Sequence, residues 1–167
     1  QKIYQVDAFA QQLFSGNPAA VCPLEKWLAD ELMQKIAQEN NLAETAFYVR
    51  EQDSSFQIRL FTPAGEADLC WHAPLATAYV LVNHEGVNQD MVHLHSPRSG
   101  KLTVAKDGDN LTMNFPSDVF EEVKLTEELT AGFNIMPRVA YKGKTDYMLL
   151  FDNEKEIKEI IPDFNLI

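Results

Sequence analysis

The sequence predicts an α+β fold that is rich in strands and has two helices before residue 118, one on the surface and one enclosed. Short segments of alternating apolar and polar residues recur between Gly, Pro, Asn and Asp turn-formers. Apolar residues at helical spacing appear once beside a polar face, over residues 29–40. A run over residues 69–83 is rich in Ala and contains no Asp, Glu, Lys or Arg. A helix apolar on every side has to be wrapped by other elements.

Along the chain, residues 3–9 read as a short strand near the sheet centre, because both alternating sets contain apolar members: Ile3 and Phe9 on one side, Tyr4, Val6 and Ala8 on the other. Ser15-Gly16-Asn17-Pro18 is a turn, in which Gly tolerates positive φ, Asn bonds its own backbone and Pro fixes φ on exit. A small strand follows over residues 19–22. Leu28, Leu32, Ile36 and Ala37 define the surface helix, with Asp30 and Glu31 in the first turn, where the helix dipole favours acids. Asn40-Asn41 ends it. Residues 44–49 and 56–61 are strands joined across Asp53, Ser54 and Ser55. Thr62-Pro63-Ala64-Gly65 is a loop. Pro74 is tolerated only in a first helical turn, so the enclosed helix begins around residues 71–73 and is expected to be buried on nearly all sides over residues 73–82. Residues 92–95, 101–106 and 110–115 form a meander turning at Ser99-Gly100 and Asp107-Gly108-Asp109, and Pro116-Ser117 closes the unit.

Beyond that point Glu121, Glu122, Glu127 and Glu128 make an acidic connection, with Thr126 as N-cap of a short helix. Residues 138–142 and 146–151 form a strand pair across Gly143-Lys144. Residues 155–161 form a helix with Ile157, Ile160 and Ile161 inward, stopped by Pro162. The turn-rich link divides the chain into residues 1–117 and 118–167. A tail of that size and content is marginal alone and reads as the opening of something larger.

Hydrophobic residues make up 46% and charged residues 23% of the 167, which excludes a disordered or low-complexity chain. Fourteen basic against 25 acidic residues give a net charge of -11. Lys142 with Lys144 is the nearest approach to a basic cluster, so neither nucleic acid nor an anionic membrane surface is expected as a partner. The longest apolar stretch, residues 73–82, is far below the ~20 residues that span a bilayer. No secretory pattern opens the chain, and Cys22 and Cys70 make no disulfide scaffold, although one bridge between them is compatible with the sequence. A cytoplasmic location is the expectation.

No metal site or cofactor is predicted. The histidines are His72, His84, His93 and His95, with no His-Glu-x-x-His and no Cys-x-x-Cys. His93 and His95 share a strand face and read as half-exposed strand residues. No Gly-rich phosphate loop and no Gly-x-Ser-x-Gly is present. Glu44 opens a strand between Leu42 and Ala46, where partial desolvation draws a carboxyl pKa up toward the range of a general acid or base; the plain alternative is a solvent-facing strand-edge glutamate. His72 stands at the start of the enclosed helix, where first-turn N–H groups can hold a carboxylate or a developing oxyanion; the plain alternative is a capping or core-edge histidine. Cys70 is either a nucleophile activated by the helix start or a small buried hydrophobe. Asp7 and Asn17 are further polar candidates.

Five segments then stand together: Val6-Asp7-Ala8-Phe9, Phe14-Ser15-Gly16-Asn17-Pro18-Ala19-Ala20-Val21-Cys22, Ile36-Ala37-Gln38-Glu39-Asn40-Asn41-Leu42-Ala43-Glu44-Thr45-Ala46-Phe47, Arg59-Leu60-Phe61-Thr62-Pro63 and Glu66-Ala67-Asp68-Leu69-Cys70. In order and spacing through residues 1–83 they resemble the phenazine-biosynthesis isomerase-like family. The resemblance implies the diaminopimelate-epimerase-like fold: two similar lobes, each a curved, mostly antiparallel sheet around a central apolar helix, with the active site between them. Residues 1–117 would be the first lobe, and residues 118–167 a linker and the opening strands and helix of an incomplete second one. It also implies that Glu44 shuttles a proton on the substrate, that His72 is its catalytic partner, and that Asn17, Trp71 and Ala73 bind substrate. The implied reaction moves a proton on a small anionic, carboxylate-bearing metabolite without metal or organic cofactor. The implied partner is a second lobe of the same protein, and a homodimer is compatible with the resemblance.

The sequence departs from the family pattern at two places. Where the family reads Cys-Gly-His-Ala-Thr-Leu-Ala, this chain reads Cys70-Trp71-His72-Ala73-Pro74-Leu75-Ala76. An indole denies the backbone approach that Gly permits, and Pro74 removes one helix-start N–H. The family's later Pro-x-Thr-Gly-Ser-Ala-like loop is also not among these residues, so the chain is expected to be a fragment or one half of a longer protein. A non-catalytic binding or interaction protein whose pocket is filled by Trp71 is the alternative reading.

Overall fold

The computed structural model describes residues 2–12, 15–68, 71–115 and 117–167. They fall into two compact units, Gln1–Phe115 and Pro116–Ile167.

The first unit is one sheet built from β1 (Tyr4–Ala8), β2 (Asn17–Leu24), β3 (Glu44–Arg50), β4 (Phe56–Phe61), β5 (Glu66–Ala67), β6 (Met91–Ser96), β7 (Gly100–Asp107) and β8 (Asn110–Met113). The strand order is β1-β2-β3-β4-β6-β7-β8, with β5 beside β4. Pairing is antiparallel except for β2 with β3 and β4 with β6. Parallel neighbours need a crossover. Here α1 (Asp30–Asn40) and α2 (His72–Asn83) supply the two crossovers.

The pleat sorts side chains between these helices. Ala19, Val21, Ala46, Tyr48, Ile58 and Leu60 are buried with Ala73, Ala76, Val80 and Leu81 of α2. Their alternates Cys22, Leu24, Phe47 and Phe61 pack with Met33 and Ala37 of α1. Successive strand residues point to opposite faces, so α2 packs on one face of the sheet and α1 on the other. On α1 it is Met33, not Leu32, that enters the core; Leu32 is exposed.

Helix α2 begins where Pro74 demands, and Pro74 is buried in the first turn. Burial on nearly all sides needs one correction. Leu75 and Val82 are half-buried and Tyr79 is 43% exposed. These positions form one stripe at helical spacing. Leu75 and Tyr79 line a groove of about 810 Å³ together with residues of β1 and with Asn110 and Leu111 of β8. Those are the end strands of the sheet.

Strand β1 is therefore at the sheet's end and not near its centre. Its inward residues Tyr4 and Val6 pack against the core around α2, whereas Ile3 and Phe9, which suggested a second buried face, are exposed outside the strand. Strand β2 is longer than residues 19–22 because Asn17 and Pro18 already pair with Ala8 and Asp7. Gly16 leads into β2 with a φ of +86°, and a Cβ there would overlap the Ala8 carbonyl oxygen. Strand β5 escapes sequence reading, being two residues held by pairing with β4.

The second unit has β9 (Glu121–Val123), α3 (Glu127–Thr130), β10 (Val139–Lys142), β11 (Tyr147–Leu150) and α4 (Glu154–Glu159), with strand order β11-β10-β9. The acidic connection thus contains a strand, since Glu121 and Glu122 pair with Lys142 and Tyr141. Thr126 precedes α3 but its side chain makes no cap; its carbonyl accepts from Leu129 N. Helix α4 is capped instead by Asn153, which accepts from Glu156 N. It ends before Ile160, and the expected inward isoleucines are corrected: Ile157 within the helix and Ile161 beyond it are exposed, and Ile160 is half-buried. Ala140 is buried, while Val119, Phe120, Met136 and Phe164 are exposed. No helix among the described residues is long and apolar enough to cross a membrane.

Enclosure of α2 sets the stability of the first unit. Leu81→Ala, at a site 1% exposed, is expected to cost about 2–5 kcal/mol in urea unfolding of the intact protein. Tyr79→Ala on the open stripe is expected to cost markedly less, and equal costs would contradict the assigned packing.

Candidate active site

Strand periodicity decides where Glu44 points. Ala46 and Tyr48 face α2, so Glu44, two residues earlier on β3, faces the same side. It is 7% exposed. Its pairing partner on β2 is Ala19. Asn17, two residues before Ala19, opens β2 on that side and is half-buried. The start of β3 is tied to the end of α1 by Asn40 Nδ2 donating to Thr45 Oγ1 at 3.4 Å.

His72 is the first residue of α2 and is also 7% exposed. Its ring hydrogen-bonds the backbone of Pro18. Proline has no N–H, so the carbonyl accepts and the imidazole donates. Burial holds the His72 pKa below its ordinary value of 6.5, and the Pro18 bond only partly opposes this. Pro18 directly precedes Ala19, and paired strands are about 4.8 Å apart. The fold thus brings two buried titratable groups, Glu44 and His72, to one face of the sheet at the end where α2 begins.

The remaining candidates divide. Ala73 is fully buried in the cluster around α2, and its carbonyl accepts from Thr77 Oγ1 at 2.8 Å. Trp71 occupies the N-cap position without a side-chain cap and is 46% exposed. Its ring lies 4.0 Å from that of Phe115 at 62°. The indole therefore plugs no interior pocket. Asp7 is turned by the pleat to the opposite side of β1 from Tyr4 and Val6. Cys70 lies outside the described residues. Cys22 is buried, and burial pushes its thiol up to about 12, which makes it a poor nucleophile. His93 is exposed and His95 half-buried on β6, and no three His, Cys, Asp or Glu side chains gather as a metal-ligand set among the described residues. The groove beside β1 is lined by neither Glu44 nor His72.

Two contributors were missed in the sequence. Pro18 has the sequence signature of a turn residue, and nothing local announces that its carbonyl orients an imidazole 54 positions later in the chain. Phe115 was read as the last strand residue; it completes the period-two set Leu111, Met113 and Phe115 yet lies beyond β8, against Trp71.

A family model described as phenazine biosynthesis-like protein matches residues 6–167. An uncharacterised isomerase of Pseudomonas aeruginosa is 47% identical over 162 residues, covering 97% of this chain and 61% of the relative. A phenazine biosynthesis protein of the PhzF family from Enterococcus faecalis superposes with a TM-score of 0.91 at 44% identity, over 98% of this chain and 62% of that one. A predicted epimerase from Pseudomonas aeruginosa shares the fold at 20% identity, with a TM-score of 0.66 over 98% of this chain and 64% of that one. The chain spans about three-fifths of the length of these relatives. On this match, and on a sheet curled around a central apolar helix, the chain belongs to the phenazine biosynthesis-like family.

Proposed function

We propose that this chain is the first lobe, with the opening of a second, of an isomerase that moves a proton on a small carboxylate-bearing metabolite. The observation that supports it most is the burial of Glu44 at the start of β3 and of His72 at the start of α2. Glu44 as carboxylate takes a proton from a carbon beside an unsaturated or carboxylated centre. The electron pair of that C–H bond delocalises onto the substrate. Glu44 then returns the proton to another carbon, so that a double bond shifts and nothing is oxidised or reduced. Glu44 is 7% exposed, so bulk water has little access to the carboxylate that would carry the proton.

His72 serves as the oriented partner. Its N–H is given to Pro18, and in a neutral imidazole the other nitrogen is an acceptor. Backbone N–H groups of the first turn of α2 would then face the substrate's negative charge, with Pro74 contributing none. Trp71 beside them acts as a wall selecting smaller or flatter substrates, a reading supported by its exposure and its packing on Phe115.

The second unit supports a two-lobe reading. β10, β11 and α4 follow one another as antiparallel hairpin and helix, the order in which β1, β2 and α1 open the first unit. Residues 118–167 are thus read as the opening of a second lobe.

Solvent-deuterium incorporation into candidate small carboxylates, followed by NMR on the intact protein, tests this reading. Glu44→Gln keeps the shape and removes the base, so incorporation is expected to fall about 10²-fold or more with ligand affinity nearly intact. Unchanged incorporation would remove Glu44 from the reaction. Trp71→Gly is expected to broaden the range of accepted substrates, and an unchanged range would show that the indole selects nothing.

A further inference from the structure

The connection from β4 to α2 is held on the outer face of the sheet by two arginines. Arg59 of β4 bonds Glu66 of β5 through both carboxylate oxygens, Nε to Oε1 at 2.7 Å and Nη2 to Oε2 at 2.9 Å. Its third contact is Nη1 to Asp30 Oδ1 of α1 at 2.7 Å. The guanidinium also lies 5.2 Å from the Phe61 ring centre and 5.7 Å from that of Trp27. Arg98 comes from the turn between β6 and β7. It bonds Asp68 through Nη1 and approaches Glu66 Oε2 at 3.5 Å through Nε. Ser99 beside it donates to the Asp68 carbonyl. Glu66 is thus shared by two arginines, and Asp68 is gripped by side chain and backbone from 30 residues away.

This grip has a consequence for the site. Three chain steps separate Asp68 from Trp71, and each spans about 3.8 Å, so the Cα atoms of these residues are at most about 11 Å apart. Fixing Asp68 therefore confines where α2 can start. Glu66 pairs with Phe61, and on the other side of β4 Phe61 pairs with Thr45, the neighbour of Glu44. One anchor point thus borders the strand that carries Glu44 and the segment that leads to His72.

We propose that Arg98, acting through Asp68 and Glu66, is a positioning residue that fixes the start of α2 and so holds His72 against Pro18 beside Glu44. The proposal rests on the reading of Glu44 and His72 as the site. Arg59 is 17% exposed and binds α1 as well, so its removal would disturb the fold; Arg98 is 47% exposed and Asp68 75%. Ion pairs this open contribute little to global stability, so an effect of Arg98 on α2 is separable from unfolding.

The test compares the intact protein with Arg98→Ala, Arg98→Lys and Asp68→Asn by amide hydrogen exchange and by the NMR signal of the His72 ring N–H, assigned through its loss in His72→Asn. The informative amides are those of Ala76, Thr77 and Ala78, which bond carbonyls of the first turn. In Arg98→Ala and Asp68→Asn they are expected to exchange about five-fold faster or more, while those of Leu81 to Asn83 and the melting temperature stay near wild type. The ring N–H signal broadens in both variants. Arg98→Lys restores part of the protection, and salt at about 0.5 M moves the wild type toward Arg98→Ala. Wild-type exchange and ring signal in both variants would overturn the proposal, as would acceleration spread evenly along α2. These readouts need no turnover, so failure of the isomerase reading, seen as Glu44→Gln with unchanged incorporation, is told apart from failure of the positioning role.

Discussion

A helix of 12 residues without a single Asp, Glu, Lys or Arg cannot present its whole circumference to water, and the first unit is organised around that constraint. Away from its two ends the helix satisfies its own backbone hydrogen bonds, so what it needs there is apolar cover, and the strands supply it through alternate residues: Ala19 and Val21, Ala46 and Tyr48, Ile58 and Leu60. Small residues at Ala73, Ala76 and Ala78 let the sheet approach closely. The crossover through α1 is the counterpart on the other face, where Met33 and Ala37 meet the opposite pleat. Once α2 is centred, its start must fall at one end of β2 and β3, and the groups carried there become neighbours.

The candidate site is a by-product of that geometry. Glu44 faces α2 because it is in phase with Ala46 and Tyr48. His72 is buried because the helix it opens is buried, and the Pro18 carbonyl sets its ring. A hydrophobic constraint thus places two ionisable groups in poorly solvated positions, where their protonation free energies are most easily tuned. The ion-pair set of Arg59, Glu66, Arg98 and Asp68 lies on the outside of the same sheet and ties β5 and Asp68 to the start of α1 and to the turn between β6 and β7.

Local patterns in the sequence were read well where one element decides its own form. The strands β3 and β4 and the helix α2 were placed almost to the residue, because alternation, turn residues and an uncharged run are local signals. What depends on distant partners was not legible. The place of β1 at the sheet's end, the two-residue β5 and the acidic β9 exist only through pairing. Ile157 and Ile161 have inward periodicity in the sequence, yet Ile157 is exposed within α4, and Ile161 is exposed beyond the end of that helix at Glu159. At the site, Glu44 and His72 stood out as polar residues at element starts, whereas the bond from His72 to Pro18 and the packing of Trp71 on Phe115 required the folded chain.

The candidate site depends on a buried start of α2 that holds His72 in a dry, oriented setting. The most direct measurement is the NMR titration of His72 in the intact protein, taken together with unfolding free energy against pH and with His72→Asn as control. Burial lowers the folded pKa below 6.5, so between that value and the unfolded one the unfolded chain binds more protons. Stability is then expected to rise with pH through this window and to be lost as pH falls from about 6.5 toward the folded pKa, with a weaker slope in His72→Asn. A His72 midpoint at or above 6.5, with no difference in slope from the control, would contradict the account.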